Sequence, residues 1–395
     1  MALHVWITTN RMQSDAPEYR LAERMLRGEL GCDGRLHRIE IDTETPENAL
    51  HLALCAWLDE SPSIPDDVLI IRDTWLVIAK GSIAALRDRL AETPDSDCMV
   101  PMQPGLLPTQ WIPDYHTRSG FARFHRALLS AKVVDAPLPD HFRPHLFLVR
   151  GQILHSQLQR ERLFDIPATL GERCGITSRA YVHPLPDYFA SARADILPLI
   201  PCTTQSLLDI GCGTGALGKN AARLLGCRVV GIEQNAAVAR LAESVLDRVL
   251  VGDVMQLDPG ERFNCVTCLD LLEHLAEPRQ LLARIADNYL APGGCLILSV
   301  PNVGHWSLVV DLLAGRWDYV PAGLLCKTHL RFFTLHSLTE LLADCGLAIT
   351  RLDCIPAPPP SELRQQLSLL AKGGLEVDVE SLNTIAFHIV GHLGA

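Results

Sequence analysis

Residues 206–218, Ser-Leu-Leu-Asp-Ile-Gly-Cys-Gly-Thr-Gly-Ala-Leu-Gly, run from an apolar strand into an acidic, glycine-dense turn that opens a helix. Gly211, Gly213 and Gly215 carry no Cβ, so the backbone there can take positive φ and bring its N–H groups against a ligand. The stretch predicts a strand-turn-helix unit built to hold a nucleotide-type cofactor.

Gly213, Gly215 and Gly218 satisfy the G-x-G-x-x-G spacing of dinucleotide sites, a weak match by itself. Asp209, two residues before the first glycine, adds a carboxylate where a pyrophosphate would be repelled and an ammonium attracted. S-adenosylmethionine has an α-amino group and a sulfonium and no phosphate, so the loop favours it over NAD. Arg228 to Ile232 reads as a second buried strand ending at Glu233, placed to reach the ribose hydroxyls at the separation such a unit imposes. NAD enzymes share that acid. A third strand, Arg248 to Val251, leads into Gly252-Asp253-Val254, where Asp253 with Val254 would meet the adenine or serve as a turn residue.

The LLDIGCGTG loop, GIEQN with Glu233, VGDV with Asp253, CLDLLEHL at 268–275 and LAPGGCLILSVPN at 290–302 resemble, in this order, the class I S-adenosylmethionine-dependent methyltransferases over roughly residues 185–395. The resemblance implies a Rossmann-like sheet. It also implies that Asp209, Gly211, Gly213 and Gly215 hold the methionine moiety, with Glu233 on the ribose and Asp253, Val254 and Asp270 completing the cofactor site. DYFASARADILPLIP before the loop, and VPNVGHWSLVVDLLAGRWDY and KTHLRFFTLHSLTELLADCGL after it, look like methyltransferase domains fused to, or encoded beside, bacterial glycosyltransferases. That implies a sugar or small-molecule hydroxyl as acceptor.

A hydroxyl needs a base or a metal to take its proton. A helix starting near Asp270 would place Asp270, Glu273 and His274 on one face at the carboxyl end of the fourth strand. His274 is then the candidate general base, and His329 the next. The same spacing is also that of a capping box. Some methyltransferase families use a similar acid-x-x-Glu-His arrangement, with a further His, to bind a divalent metal; no residue is assigned to a metal here. Residues 301–333, with Trp306, Trp317, Tyr319, His305, His329, Arg331, Phe332 and Phe333, read as an aromatic lid over the cofactor mouth, with Phe332 and Phe333 assigned to a core and His329 and Arg331 the better site candidates. Thr334 caps a helix over Leu335 to Cys345, which Gly346 ends.

The chain of 395 residues exceeds what one core usually supports, so two domains are expected. Residues 1–165 alternate strand and helix, predicting a mostly parallel sheet: strands Leu3–Thr8, Arg35–Ile41, Asp67–Ile71, Asp97–Pro101 and His145–Val149, with helices Glu18–Leu30, Pro46–Asp59 and Gly81–Ala91. Residues 166–187 read as a connecting segment and 188–395 as the methyltransferase domain. The opening strand with Asn10, the helix containing Asn48, DDVLIIRDTWLV and LFLVR resemble a shortened GT-A glycosyltransferase domain. Active members of that family hold a metal on an Asp-x-Asp pair. Ile71-Arg72-Asp73 keeps only the second Asp and puts a cation beside it, so the domain reads as a substrate-recognition or assembly module.

A net charge of −11 offers no footprint for nucleic acid. The amino terminus lacks the cationic start of a signal peptide, and Val68 to Leu86 is broken by Arg72, Asp73 and Lys80, so no membrane span and a cytoplasmic location are expected. A homodimer is compatible with this reading. Thirteen cysteines are scattered singly, as in a reducing compartment. Cys265 and Cys268 fall in one strand, where a spacing of three sends them to opposite faces rather than to a shared metal or redox pair.

Overall fold

The computed structural model describes residues 3–10, 24, 26–29, 34–41, 46–60, 67–72, 76–106, 118–130, 138–139, 142–184, 191–320, 322–374 and 376–394. Asp73 and most of the expected helix Glu18–Leu30 lie outside them. The chain divides into two compact units, Met1–Leu185 with Asp318–Lys327, and Pro186–Trp317 with Thr328–Ala395. No helix among the described residues is long and apolar enough to cross a membrane.

The first unit is a seven-stranded sheet of β1 (Leu3–Asn10), β2 (Gly34–Ile41), β3 (Asp67–Ile71), β4 (Leu76–Ile78), β5 (Cys98–Met102), β6 (Leu146–Arg150) and β7 (Cys174–Pro184), ordered β2-β1-β3-β6-β5-β7-β4. Side-chain alternation sends Val5, Ile7, Leu69 and Ile71 to one face, under Ile83, Leu86 and Leu90 of helix Ser82–Glu92. Trp6, Val68 and Ile70 go to the other, under Leu50, Leu54 and Leu58 of helix Pro46–Glu60. The sheet is mixed rather than mostly parallel: β3–β6, β5–β6 and β4–β7 pair antiparallel. Strand-helix alternation carries no strand direction, and β6 returns between β3 and β5.

The segment expected to join the domains instead holds helix Ile166–Thr169 and the whole of β7, which pairs parallel with β5. Its register jumps from Pro101 opposite Thr177 to Met102 opposite Tyr181. That irregularity breaks the period of two by which a strand is read from sequence.

The second unit contains β8 (Ser206–Ile210), β9 (Arg228–Glu233), β10 (Arg248–Val251), β11 (Phe263–Leu269), β12 (Leu290–Pro301), β13 (Leu347–Pro356) and β14 (Thr384–Leu393), ordered β10-β9-β8-β11-β12-β14-β13. The first five are parallel, and β14 runs antiparallel between β12 and β13. The chain builds outward from β8 through β9 to β10, then crosses to β11. The carboxyl ends of β8 and β11 therefore flank a switch point, where open α/β sheets bind ligands. Cys265 and Cys268 enter the cores on opposite faces of β11, as their spacing requires. Helix Leu335–Asp344 carries a capping box between Thr334 and Ser337, and Gly346 follows in the left-handed region at φ 69°.

The turn after β8 folds onto β9: Gly211 and Cys212 both donate their N–H to Ile232 O, at 2.8 and 3.1 Å. Gly231, opposite Asp209 in the ladder, leaves room for this. A Cβ there would lie 2.6 Å from Cys212 Sγ and 2.8 Å from Leu246 Cδ1. Gly231→Ala should therefore destabilise the unit by about 1–3 kcal/mol through overpacking, read as a lowered urea midpoint of the full chain. An unchanged midpoint would show that the turn yields without cost.

Candidate cofactor and catalytic site

Asp209, one residue before the end of β8, is only 3% exposed. Thr267, opposite it on β11, donates its hydroxyl to Asp209 Oδ1 at 2.7 Å. Burial raises the carboxyl to about 6, against the opposing pull of Thr267 and the nearby Arg193 charge, and Glu233 pushes it further up. The loop beyond it takes positive φ at Gly211 (77°), Gly213 (56°) and Gly215 (81°). Gly215 is additionally tight, since a Cβ there would lie 2.9 Å from Val245 Cγ2. Helix Ala216–Leu225 starts directly after it.

Glu233, buried at the end of β9, accepts from Gly213 N at 3.0 Å and from Asn235 N at 2.8 Å. It thus clamps the glycine loop to the second strand. Burial raises its carboxyl, and these backbone donors act against the rise. Asp253 is half-buried, and its Oδ1 accepts from Met255 N at 2.9 Å, closing a turn. Val254 is buried in the core beside Ile232 and Val230.

The segment after β11 departs from expectation. No helix starts near Asp270: a single 3-10 turn covers Leu272–His274, and the helix begins at Pro278, running to Arg284. Proline suits the first helical turn, where its missing N–H costs nothing, and that signal was present in the sequence. Asp270 and Glu273 therefore form no capping box, and the shared helical face of Asp270, Glu273 and His274 does not exist. Asp270 takes φ 49° and bonds outward, with Oδ1 accepting from Ser299 Oγ and Oδ2 from Arg193 Nη1, both at 2.6 Å.

Glu273 is 1% exposed, its Oε2 has no hydrogen-bond partner, and burial drives its carboxyl well up, helped by the Asp270 charge. Its backbone carbonyl accepts from Leu330 N at 2.7 Å and Arg331 N at 3.0 Å. These bonds bring His329 to His274, with ring centroids 4.8 Å apart and planes at 85°. One ligand atom from each of Glu273, His274 and His329 lies within 4.8 Å of the others. A carboxylate with an orphaned oxygen and two imidazoles is a donor set that fits a divalent cation.

The residues expected to form a lid fall in several different places. Residues 318–327, Tyr319 among them, belong to the first unit, where Ala322 packs on the core. His305 is 1% exposed and caps helix Trp306–Leu313. His305 Nε2 and Trp306 Nε1 each lie 2.9 Å from Ala357 O, so both are structural. Phe333 is in the core. Trp317 and Phe332 meet edge-to-face at 5.2 Å, with His329 6.5 Å from Phe332. Arg331 is exposed and 3.8 Å from Glu277.

Sequence reasoning did not single out Arg193. It takes φ 43°, its side chain is 16% exposed, and it bonds Asp195, Asp270 and Ser299 while lying 3.4 Å from His388 Nε2. It ties the segment before β8 to the ends of β11, β12 and β14. Nothing in its local spacing marks it.

Residues 178–352 match the family described as a methyltransferase domain. The chain is 32% identical over 152 residues to the ubiquinone biosynthesis O-methyltransferase of Bradyrhizobium sp. (strain ORS 278), covering 36% of this chain and 58% of that protein. It is 36% identical over 151 residues to the protein of that name from Dinoroseobacter shibae, covering 36% and 59%. The chain thus spans about three-fifths of the length of the curated relatives it matches. A solved SAM-dependent methyltransferase from Archaeoglobus fulgidus is 16% identical over 50% of this chain and 91% of its own, with a TM-score of 0.37. Most of the second unit thus matches a methyltransferase domain, on a Rossmann-like sheet.

Proposed function

We propose that the chain transfers the methyl group of S-adenosylmethionine to a hydroxyl oxygen of a sugar or glycoconjugate, with His274 as the base. The observation that carries O-methylation is the grouping of His329 with His274 and buried Glu273, the last two just past β11, the strand that pairs with β8. The relatives' names support an oxygen acceptor. The sugar reading draws on the sequence resemblance to methyltransferase domains associated with glycosyltransferases and on Trp317 and Phe332 near His329, since aromatic faces stack on sugars. An intermediate of ubiquinone biosynthesis is the second reading, favoured by those same names.

In this account Asp209 meets the cofactor's ammonium and Glu233 its ribose. Arg193, close enough to act on Asp209, is the cation for its carboxylate. Asp253, Val254 and Asp270 border the adenosine and sulfonium. The acceptor oxygen attacks the methyl carbon in line, the C–S bond breaks, adenosylhomocysteine leaves neutral at sulfur, and the hydroxyl proton passes to His274. A divalent cation, if one is bound, would sit on Glu273, His274 and His329 and lower the acceptor hydroxyl's pKa. The first unit is read as a GT-A-like substrate-recognition module, in line with its α/β sheet and with Arg72 following β3.

Two measurements test this. Glu233→Ala should weaken S-adenosylmethionine binding by about 1–3 kcal/mol in calorimetry, the usual cost of removing a charged hydrogen-bonding partner. An unchanged Kd in a folded variant takes Glu233 out of the site. His274→Ala should lower turnover about a hundred- to ten-thousand-fold while cofactor affinity stays near wild type. Activity lost to chelator and restored by magnesium, manganese or zinc would move His274 from base to ligand. Turnover that survives both treatments contradicts either role.

A further inference from the structure

The loop that follows β10 is gripped from one side by a single arginine. Arg284 ends helix Pro278–Arg284, on the connection from β11 to β12. Its guanidinium donates from Nη1 to Val254 O at 3.2 Å and to Met255 O, and from Nη2 to Leu257 O at 2.6 Å. Directly after it the helix widens into a π turn over Ile285–Tyr289, which Leu290 N closes on Ile285 O. In an α-helix residues five apart lie about 140° round from each other, whereas an i→i+5 turn brings them towards one side. Tyr289 accordingly stands beside Arg284. It is 1% exposed, its ring centroid lies 5.7 Å from the guanidinium carbon, and its hydroxyl donates to the same Leu257 O at 3.1 Å.

These bonds fix the acid at the start of the loop. A trans peptide points its C=O and N–H in opposite directions, so carbonyls gathered on the arginine leave their N–H groups on the far side. In the peptide joining Val254 to Met255 the carbonyl meets Arg284, and the N–H donates to Asp253 Oδ1 at 2.9 Å. In the next peptide the Met255 carbonyl again meets Arg284, and Gln256 N donates to Asp253 O at 2.9 Å. Leu257 N donates to that same Asp253 carbonyl at 3.2 Å. Two peptide groups thus run side by side from one guanidinium to one aspartate. The first is polarised from both ends, by the guanidinium and by the carboxylate.

We propose that Arg284 is a positioning residue that makes the cofactor site selective for an amino-substituted purine, by fixing the Asp253 carboxylate through these two peptides. With Oδ1 taken by Met255 N, Oδ2 is the acceptor for an exocyclic amino group, and an oxo group in its place would set oxygen against oxygen. The planar fork of a guanidinium spans three carbonyls at once, which the point charge of a lysine does not. The proposal rests on the reading that places the adenosine at Asp253 and Val254.

The test is calorimetry of the full chain with S-adenosylhomocysteine and S-inosylhomocysteine, which differ by an amino group exchanged for an oxo group on the base. Wild type should bind the adenine compound about tenfold or more tightly, the worth of one charged hydrogen bond, and Asp253→Ala should bring the two affinities together. Arg284→Gln should bring them together likewise, and Tyr289→Phe, which keeps the arginine, should narrow the gap less. Plain support of the fold would instead weaken both compounds equally and leave their ratio as in wild type. Arg284→Lys serves if the glutamine variant does not fold, and should keep only part of the ratio. A wild-type ratio in folded Arg284→Gln or Arg284→Lys, with the ratio lost in Asp253→Ala, overturns the proposal alone. A wild type that does not prefer the adenine compound, or a ratio that Asp253→Ala leaves intact, takes adenine away from Asp253 and overturns the proposal together with the reading beneath it.

Discussion

A carboxylate buried at the end of the central strand is the constraint on which the second unit turns. Asp209 loses most of its hydration there, a cost large enough to raise it to about 6 despite a hydroxyl bond from Thr267 and the field of Arg193. A buried acid so placed gains from a cation more than from any other partner. The groups around it are set by the same sheet register. Thr267 stands opposite on β11, Gly231 opposite on β9, and the loop beyond is tied to Ile232 and Glu233. The fold thus holds a buried carboxylate at the switch point and closes a glycine turn beside it.

The second group of unusual chemistry lies one connection further along, after β11. Glu273 is buried without a partner for one oxygen and has two imidazoles beside it. An unsatisfied buried acceptor costs about 1–3 kcal/mol, which a fold tolerates where the group has another use. The backbone bonds from Leu330 and Arg331 to the Glu273 carbonyl join two segments distant in sequence, and His329 directly precedes that main-chain tie.

Much of this was legible in the residues. The glycine loop, the acids near the ends of β8 and β9, the capped helix at Thr334 and the opposite-facing Cys265 and Cys268 follow from local spacing and strand period. What escaped depends on long-range pairing or on one overlooked local signal. The mixed direction of the first sheet and the irregular β7 leave no local trace, and neither do the ties of Arg193 to Asp270, Ser299 and His388. His305 and Trp306 resembled lid residues until Ala357 met them. Pro278, by contrast, marked the true helix start and argued against a helix at Asp270.

In the proposed function the acidic loop selects a cationic cofactor through ionised Asp209. In the free protein this carboxyl protonates at about 6, and pairing with an ammonium favours its charged form, so binding below that pH must expel a proton. The most direct measurement is the Kd of S-adenosylmethionine by calorimetry from pH 5 to pH 8, for wild type and Asp209→Asn. The account predicts a plateau above about pH 6.5, weakening as pH falls below about 6 with proton release, and a weaker, flat profile in the variant. Equal affinity across the range in wild type, or wild-type affinity in a folded Asp209→Asn, would contradict it.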